Sequence, residues 1–147
     1  MDYGDKTIGV AVSDPLRIMS LGLETIRRDR ENALKPSFRR LEELLIQYAP
    51  VSTIVIGYPK NMNNTEGERC IKTQQFREKL SRRFQGVETV LWDERLSTAG
   101  ARRSLSGHVN EKLVIDEMAA VFILQGYIDY LNFSNSSNKE SDEGNNG

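Results

Sequence analysis

The feature that most constrains the fold is a strand–helix–strand pattern in the middle of the chain. Two short apolar runs, STIVIG at residues 52–57 and VETVLW at residues 87–92, flank a segment of helical character. Strands joined through a helix lie parallel in a sheet, and parallel strands buried on both faces read as nearly continuous apolar runs. The pattern therefore predicts an α/β protein.

The N-terminal part of the chain predicts antiparallel strands beside this parallel pair. Residues 7–13 and 21–27 read as strands joined by a turn through Asp14-Pro15. Ahead of them, Asp2 lies near the end of a truncated first strand. We expect one mixed five-stranded sheet, with three antiparallel-type N-terminal strands followed by parallel strands, flanked by helices.

Four segments are expected to form those helices. In the second of them, Thr65 followed by Glu68 is a capping-box signature at the N-terminus. The four segments are residues 31–48, 65–84, 97–105 and 111–131.

Length and composition describe one soluble domain. A chain of 147 residues, 38% hydrophobic and 28% charged, can bury one core. No run approaches the ~18 apolar residues of a membrane span, and the acidic N-terminus does not resemble a secretory signal. The single cysteine, Cys70, and the single histidine, His108, exclude an internal disulfide and a usual zinc site. We therefore expect a cytoplasmic protein.

Residues 132–147 differ from the rest of the chain. They hold one lysine and three acidic residues, a net charge of −2 (1 − 3), and they lack apolar periodicity. Such a segment cannot bury enough apolar surface to offset the entropy of ordering it. We expect a folded domain over residues 1–131 and a disordered, polar, acidic tail over residues 132–147.

Carboxylates stand at the ends of three expected elements. Asp2 precedes the first complete strand, and Asp93 and Glu94 close the run VETVLWDE. Asp116 lies early in the last helix, on one face with small alanines at i+3 and i+4 that allow close approach to a sheet. If these ends converge, a divalent cation must offset the repulsion between carboxylates. All-oxygen ligation suits Mg²⁺ or Mn²⁺, and one or two such ions support phosphodiester hydrolysis.

Each carboxylate also has a purely structural interpretation. Asp2 can begin a turn, and Asp116 can pair with Lys112 one helical turn away. Asp93 and Glu94 can complement the dipole of a following helix. Spacing alone leaves the structural and the catalytic interpretation open.

Four longer motifs occur in order: DYGDKTIGVAVSD at residues 2–14, IGYPKNMNNTEG at 56–67, WDERLST at 92–98 and IDEMAAVFILQGY at 115–127. Together they resemble the YqgF (RuvX) family over almost all of residues 1–131. The resemblance implies an RNase H-like fold, as in Holliday-junction resolvases. It also implies a bacterial cytoplasmic nuclease that matures the 5′ end of the 16S rRNA precursor. The acidic triad of the family falls on Asp2, Glu94 and Asp116, as catalytic residues and metal ligands, with Asp93 as the alternative to Glu94.

Six further residues are candidates for substrate contacts. Two follow the STIVIG strand at the carboxyl edge of the sheet, where open α/β sheets bind ligands. Three belong to WDERLST, where a helix N-terminus can bind phosphate, although the serine of this motif can equally be a helix cap. One lies in the first hairpin, where it can reach a phosphate or simply face solvent. The six are Lys6, Lys60, Asn61, Arg95, Ser97 and Thr98.

Three features depart from the pattern of the family. Only Met1 precedes Asp2, where several apolar residues are usual, so we expect the natural chain to begin upstream. The segment between Thr98 and Asp116 is short, which puts a basic nucleic-acid-binding loop in doubt. Tyr58 stands where the family usually has leucine or phenylalanine.

Several functions stay open. The first is a Mg²⁺- or Mn²⁺-dependent nuclease acting on single-stranded precursor rRNA. The alternatives are a Holliday-junction resolvase acting on branched DNA and a non-catalytic ribosome-assembly module that binds RNA. Sugar kinases and actin-like ATPases also begin with D-x-G, but 147 residues leave no room for their second domain. Symmetric cutting of a junction requires a two-fold dimer. The apolar stripes of the expected helices are all needed to cover the sheet, so none is left over for a dimer interface. We therefore expect a monomer or weak homodimer that acts on RNA, without a membrane partner.

Overall fold

The computed structural model describes residues 1–60, 66–94 and 111–143, and in the last of these ranges the side chains of residues 117–137. Strands and helices within these ranges alternate as expected for an α/β protein. In chain order they are β1 (Asp2–Tyr3), β2 (Thr7–Ser13), β3 (Ser20–Arg27), α1 (Lys35–Gln47), β4 (Thr53–Tyr58), α2 (Glu68–Arg83), β5 (Glu88–Asp93) and α3 (Glu111–Glu143).

The strands form two sheets that meet at Met1. β1, β2 and β3 form an antiparallel sheet in that order, and β4 and β5 form a parallel pair. The Met1 amino group donates to the Val55 carbonyl (2.6 Å), and the Gly57 amide donates to the Met1 carbonyl (3.0 Å). The expected single five-stranded sheet is therefore wrong. Because β1 contains only two residues, the hydrogen bonds described between this segment and β4 are the two made by Met1, which are too few to form a ladder.

Helices α1 and α2 cover one face of the strands. Alternate residues of a strand point to the same face, and alternate residues of β2 and β4 belong to one buried cluster with side chains of both helices. This apolar layer is the core of the protein. Its buried members are Ile8, Val10, Ile26, Leu34, Phe38, Leu41, Leu44, Ile54, Ile56, Phe76, Leu80 and Phe84.

Helix α3 covers the opposite face. Ala119 and Ala120 are buried, and their small side chains allow the helix backbone to come close to the strands. At the β3 end, the Ser20 hydroxyl donates to the Val121 carbonyl (2.8 Å), and the Ser20 amide donates to the Gln125 side-chain oxygen (3.0 Å). α3 is thereby hydrogen-bonded to one sheet while it packs on both.

Helix α3 also extends beyond the expected domain boundary. It continues to Glu143, so residues 132–143 are helical where the sequence predicts a disordered tail. The boundary of the folded domain at residue 131 stays a prediction. None of the three described helices is both long and apolar enough to cross a membrane.

The first residues of α1 and α2 differ from the expected ones for local reasons. α1 begins at Lys35-Pro36 rather than at residue 31, because the fixed φ of proline suits the first helical turn. α2 begins at Glu68 with Gly67 as its N-cap and has no side-chain cap, so the expected capping box is wrong. Thr65 itself and the helix expected over residues 97–105 lie outside the described ranges.

Phe76 provides a test of the core. It is 1% exposed, and its ring lies 4.1 Å from that of Tyr3 and 6.0 Å from that of Phe38. Phe76→Ala is expected to lower the free energy of unfolding by about 3–5 kcal/mol, because it leaves a cavity. Urea denaturation measures this change. Ile71→Ala, at an exposed position of the same helix, is the control and should stay within about 0.5 kcal/mol of the parent. Equal stability of the two variants would contradict this core.

Candidate active site

Asp2 lies on the face of β1 that α3 covers. In the antiparallel pairing of β1 with β2, Asp2 is opposite Gly9 and Tyr3 is opposite Ile8. Tyr3 stacks on Phe76 of α2. Because neighbouring residues of a strand point to opposite faces, Asp2 points toward the α3 side.

Glu94 follows β5 and lies against Gly57 of β4. A β-carbon built on Gly57 would lie 2.5 Å from Glu94 Oε1 and 2.5 Å from Ile123 Cδ1. The two side chains therefore occupy the space that any residue larger than glycine would need. Since Ile123 belongs to α3, the Glu94 carboxylate lies on the α3 side, at the carboxyl ends of the two parallel strands.

Asp93 faces the other side of the parallel pair. It is in register with Tyr58, whose hydroxyl accepts a hydrogen bond from the Gln74 side-chain amide of α2 (2.6 Å). Residues opposite each other in a ladder share a face, so Asp93 lies on the α2 side. The sequence leaves Asp93 and Glu94 as alternatives. Of these two, Glu94 shares a face with Asp2.

The amino group of Met1 lies close to both carboxylates. Burial lowers the pKa of this group to about 6, and the negative charges of Asp2 and Glu94 act in the opposite direction. Such a charge effect on a buried group requires proximity. Asp2 and Glu94, which are distant in sequence, therefore come together at the junction of β1 and β4.

The donor set at this junction suits a divalent cation. Carboxylate oxygens are the ligands that Mg²⁺ and Mn²⁺ prefer, and the absent side chain at Gly57 leaves space for the Glu94 carboxylate beside the main chain. Asp116 lies in α3, with its side chain outside the described part. The described side chains contain no cluster of three potential metal ligands, so the third ligand stays a prediction.

Two of the six candidate substrate-binding residues lie in the described ranges. Lys6 is exposed in the turn between β1 and β2. Lys60 is half-buried just after β4, where its amide donates to the Tyr58 carbonyl (3.1 Å). Both lysines therefore follow strands that meet at the junction. The other four, Asn61, Arg95, Ser97 and Thr98, fall outside the described ranges.

The sequence does not predict the burial of two polar residues near the site. Arg28 is 6% exposed, and its Nη2 donates to the Gly4 and Asp5 carbonyls (2.6 and 2.7 Å). An Arg-Arg pair usually indicates solvated side chains, so the sequence contains no signal for this burial. Burial raises the pKa of Tyr58 to about 12, with a further contribution from its hydrogen bond to Glu66. The signal for Tyr58 is its departure from the usual leucine or phenylalanine.

Two carboxylates lie together beside the ends of parallel strands, an arrangement that suits a divalent cation. Comparison with known proteins identifies the class of the protein. A family model described as "RuvX: Holliday junction resolvase" matches residues 1–130. The chain belongs to this family, and the resemblance noted in its motifs is confirmed. The protein is therefore a nuclease, a hydrolase that acts on phosphodiester bonds.

Individual relatives cover nearly the whole chain. Three curated relatives share the name "Putative pre-16S rRNA nuclease". The protein from Agathobacter rectalis is 51% identical over 140 residues, which is 92% of this chain and 96% of the relative. The one from Desulfitobacterium hafniense is 49% identical over 146 residues (95% and 96%). The one from Listeria monocytogenes is 46% identical over 136 residues (90% and 96%).

Gly57 allows a test of the position of Glu94. Gly57→Ala is expected to reduce nuclease activity about 100-fold, because the new methyl group displaces the Glu94 carboxylate and small misplacements of catalytic groups are costly. The melting temperature should also fall, because the buried side chain of Ile123 is displaced too and overpacking a core costs about 1–3 kcal/mol, so activity is compared well below the melting temperatures of both proteins. Steady-state cleavage assays and thermal melts measure the two effects.

Gly22→Ala is the matched control. A β-carbon on Gly22 would lie 2.5 Å from Glu117 Oε1, so the same substitution displaces a glutamate of α3 that is not among the proposed ligands. Activity should stay close to that of the parent. Equal activities in the two variants would contradict the placement of Glu94 in the site.

Proposed function

We propose that this nuclease cleaves single-stranded precursor rRNA at the 5′ end of pre-16S rRNA. In this proposal an RNase H-like domain over residues 1–131 holds Mg²⁺ or Mn²⁺ with Asp2, Glu94 and Asp116, and acts in the cytoplasm. The observation that carries the proposal is the meeting of Asp2 and Glu94 on the α3 side of the strands, beside Gly57. The shared name of the relatives, at 46–51% identity, supports rRNA as the substrate.

The divalent cation would supply charge neutralisation and Lewis acidity for phosphodiester hydrolysis. The role of the chain is to hold the ligands in place. Asp2 and Glu94 come from two strands that meet through the hydrogen bonds of Met1, so backbone pairing limits the separation of their carboxylates. Asp116 would approach from α3, whose buried alanines allow the helix to come close to the strands.

The substrate would be bound by residues that follow these strands. Lys60 comes directly after β4, and Lys6 lies in the turn after β1, so their ammonium groups can contact phosphates on either side of the scissile bond. The proposal assigns further phosphate or base contacts to Asn61, Arg95, Ser97 and Thr98. A few basic contacts of this kind would be sufficient for a single strand, whereas four duplex arms present a much denser array of phosphates.

The acidic triad can be tested by neutral substitutions. Each of three substitutions should reduce turnover by more than the ~10–100-fold typical of losing an outer-shell contact. They are Asp2→Asn, Glu94→Gln and Asp116→Asn. In EDTA the variants should stay folded, because each substitution keeps the shape of the side chain and removes repulsion between carboxylates while it gives up attraction to the Met1 amino group. Cleavage of end-labelled RNA across a Mg²⁺ titration measures the first effect.

Asp93→Asn is the matched control for the triad, since Asp93 lies on the α2 side. It should cleave at the rate of the parent. If Glu94→Gln cleaves normally and Asp93→Asn does not, the assignment fails and Asp93 becomes the candidate. RNA binding by the parent without cleavage at any Mg²⁺ concentration would favour a non-catalytic assembly module.

A Holliday-junction resolvase is the second candidate, because the matching family model has that description. One structural observation favours it. Four large apolar side chains in the β2–β3 turn and at the start of β3 are 55–77% exposed, whereas the sequence predicts no spare apolar surface. Exposed apolar patches commonly mark protein contacts, and a dimer is what a resolvase needs. The four residues are Leu16, Ile18, Met19 and Leu21.

The two substrates can be separated by one comparison. We expect a monomer or weak homodimer that cleaves single-stranded rRNA precursor in Mg²⁺ and leaves four-way DNA junctions largely uncut. Parallel cleavage assays at equal enzyme concentration, with light scattering for the mass in solution, test this expectation. A stable dimer that makes paired symmetric nicks in a junction, with little cleavage of RNA, would instead establish the resolvase.

A further inference from the structure

Arg28 is the most buried charged side chain of the described residues. Burial of its guanidinium lowers the pKa of Arg28, and an arginine side chain keeps its charge in proteins. Its Nε and Nη1 have no hydrogen-bond partner among the described residues. Burying a charged group with unsatisfied donors is costly. A turn that only connects two strands at the surface would not need a buried guanidinium with unsatisfied donors.

The contacts of Arg28 are concentrated on the turn that follows β1. Nη2 donates to the Gly4 carbonyl (2.6 Å) and to the Asp5 carbonyl (2.7 Å), and the backbone amide of Arg28 donates to the Lys6 carbonyl (2.7 Å). Three consecutive peptide groups of the turn are therefore held by one residue at the end of β3. The guanidinium also lies over the ring of Tyr3, 5.0 Å from its centroid.

This arrangement determines the direction of Asp2. Tyr3 is held on the α2 side by the guanidinium and by stacking on Phe76 (4.1 Å). Because β1 contains only Asp2 and Tyr3, and neighbouring strand residues point to opposite faces, anchoring Tyr3 directs Asp2 toward the α3 side. A strand this short has few ladder hydrogen bonds of its own that could do the same.

We infer that Arg28 is a positioning residue for the active site, which holds β1 and its turn so that the Asp2 carboxylate can bind the divalent cation. The inference rests on the proposed function, since it assumes that Asp2 is a metal ligand. Arg28 itself packs over Tyr3, whose ring stacks on the α2 side, on the opposite face of β1 from the Asp2 carboxylate. The residue acts through the turn and the Tyr3 ring.

The test measures Mn²⁺ binding by calorimetry, hydrogen exchange of the β1 and β2 amides, and RNA cleavage. Arg28→Met keeps much of the volume and removes the guanidinium. It should weaken Mn²⁺ binding by roughly 10–100-fold, the usual effect of losing an outer-shell partner, and accelerate amide exchange in β1. In cleavage assays kcat should fall while KM for RNA stays near that of the parent. Arg28→Lys should recover part of the affinity, because a lysine can still donate to the turn.

Arg27→Met is the matched control, since Arg27 is the exposed neighbour on β3. It should bind Mn²⁺ as the parent does. Tyr3→Leu covers the case in which Arg28→Met does not fold: it removes the ring contact, keeps the arginine and should also weaken Mn²⁺ binding. If folded Arg28→Met binds Mn²⁺ with the affinity of the parent, the inference is wrong. If Arg28→Met does not fold, parental affinity in both Tyr3→Leu and Arg28→Lys overturns it. Either result leaves the proposed function standing. A parent protein that binds no Mn²⁺ overturns the proposed function, and this inference with it.

Discussion

The candidate active site depends on the way in which β1 joins the two sheets. On one side, β1 pairs with β2, and on the other, Met1 exchanges two hydrogen bonds with Val55 and Gly57 of β4. Few interactions therefore connect the antiparallel and the parallel strands through the backbone. Asp2 and Glu94 belong to different sheets, and this junction, together with the covering helices, determines how far apart they lie.

The burial of charge around the junction has a physical cost. The Met1 amino group and the Arg28 guanidinium are both buried, and burial lowers the pKa of each. Two carboxylates lie close to the amino group, and the repulsion between them is partly offset by their attraction to its positive charge. Functional sites commonly retain such unfavourable arrangements because binding or catalysis requires them. The core between the strands, α1 and α2 is apolar and well packed, and it supplies the stability that the site does not.

Helix α3 connects the site to the rest of the protein. Its N-terminal half contributes Ile123 beside Glu94 and Gly57, and Gln125 binds the backbone at Ile18 and Ser20 at the far end of β3. One rigid element therefore touches both the site and the β2–β3 turn, where the apolar side chains are exposed. A partner bound at that turn, whether a second copy or another protein, would contact the same helix that covers the carboxylates.

The sequence by itself determined the α/β class and the positions of most strands, and it named the acidic residues as candidates. It could do so because apolar runs and helical spacing are local signals, and because four motifs identify the family. The tertiary structure alone decided that Glu94 rather than Asp93 faces Asp2, since a one-residue step along a strand reverses the direction of a side chain. It also decided that the strands divide into two sheets and that Arg28 is buried. Both outcomes depend on contacts between residues far apart in the chain, such as Met1 with Gly57 and Arg28 with Gly4, and local sequence patterns contain no information about such contacts.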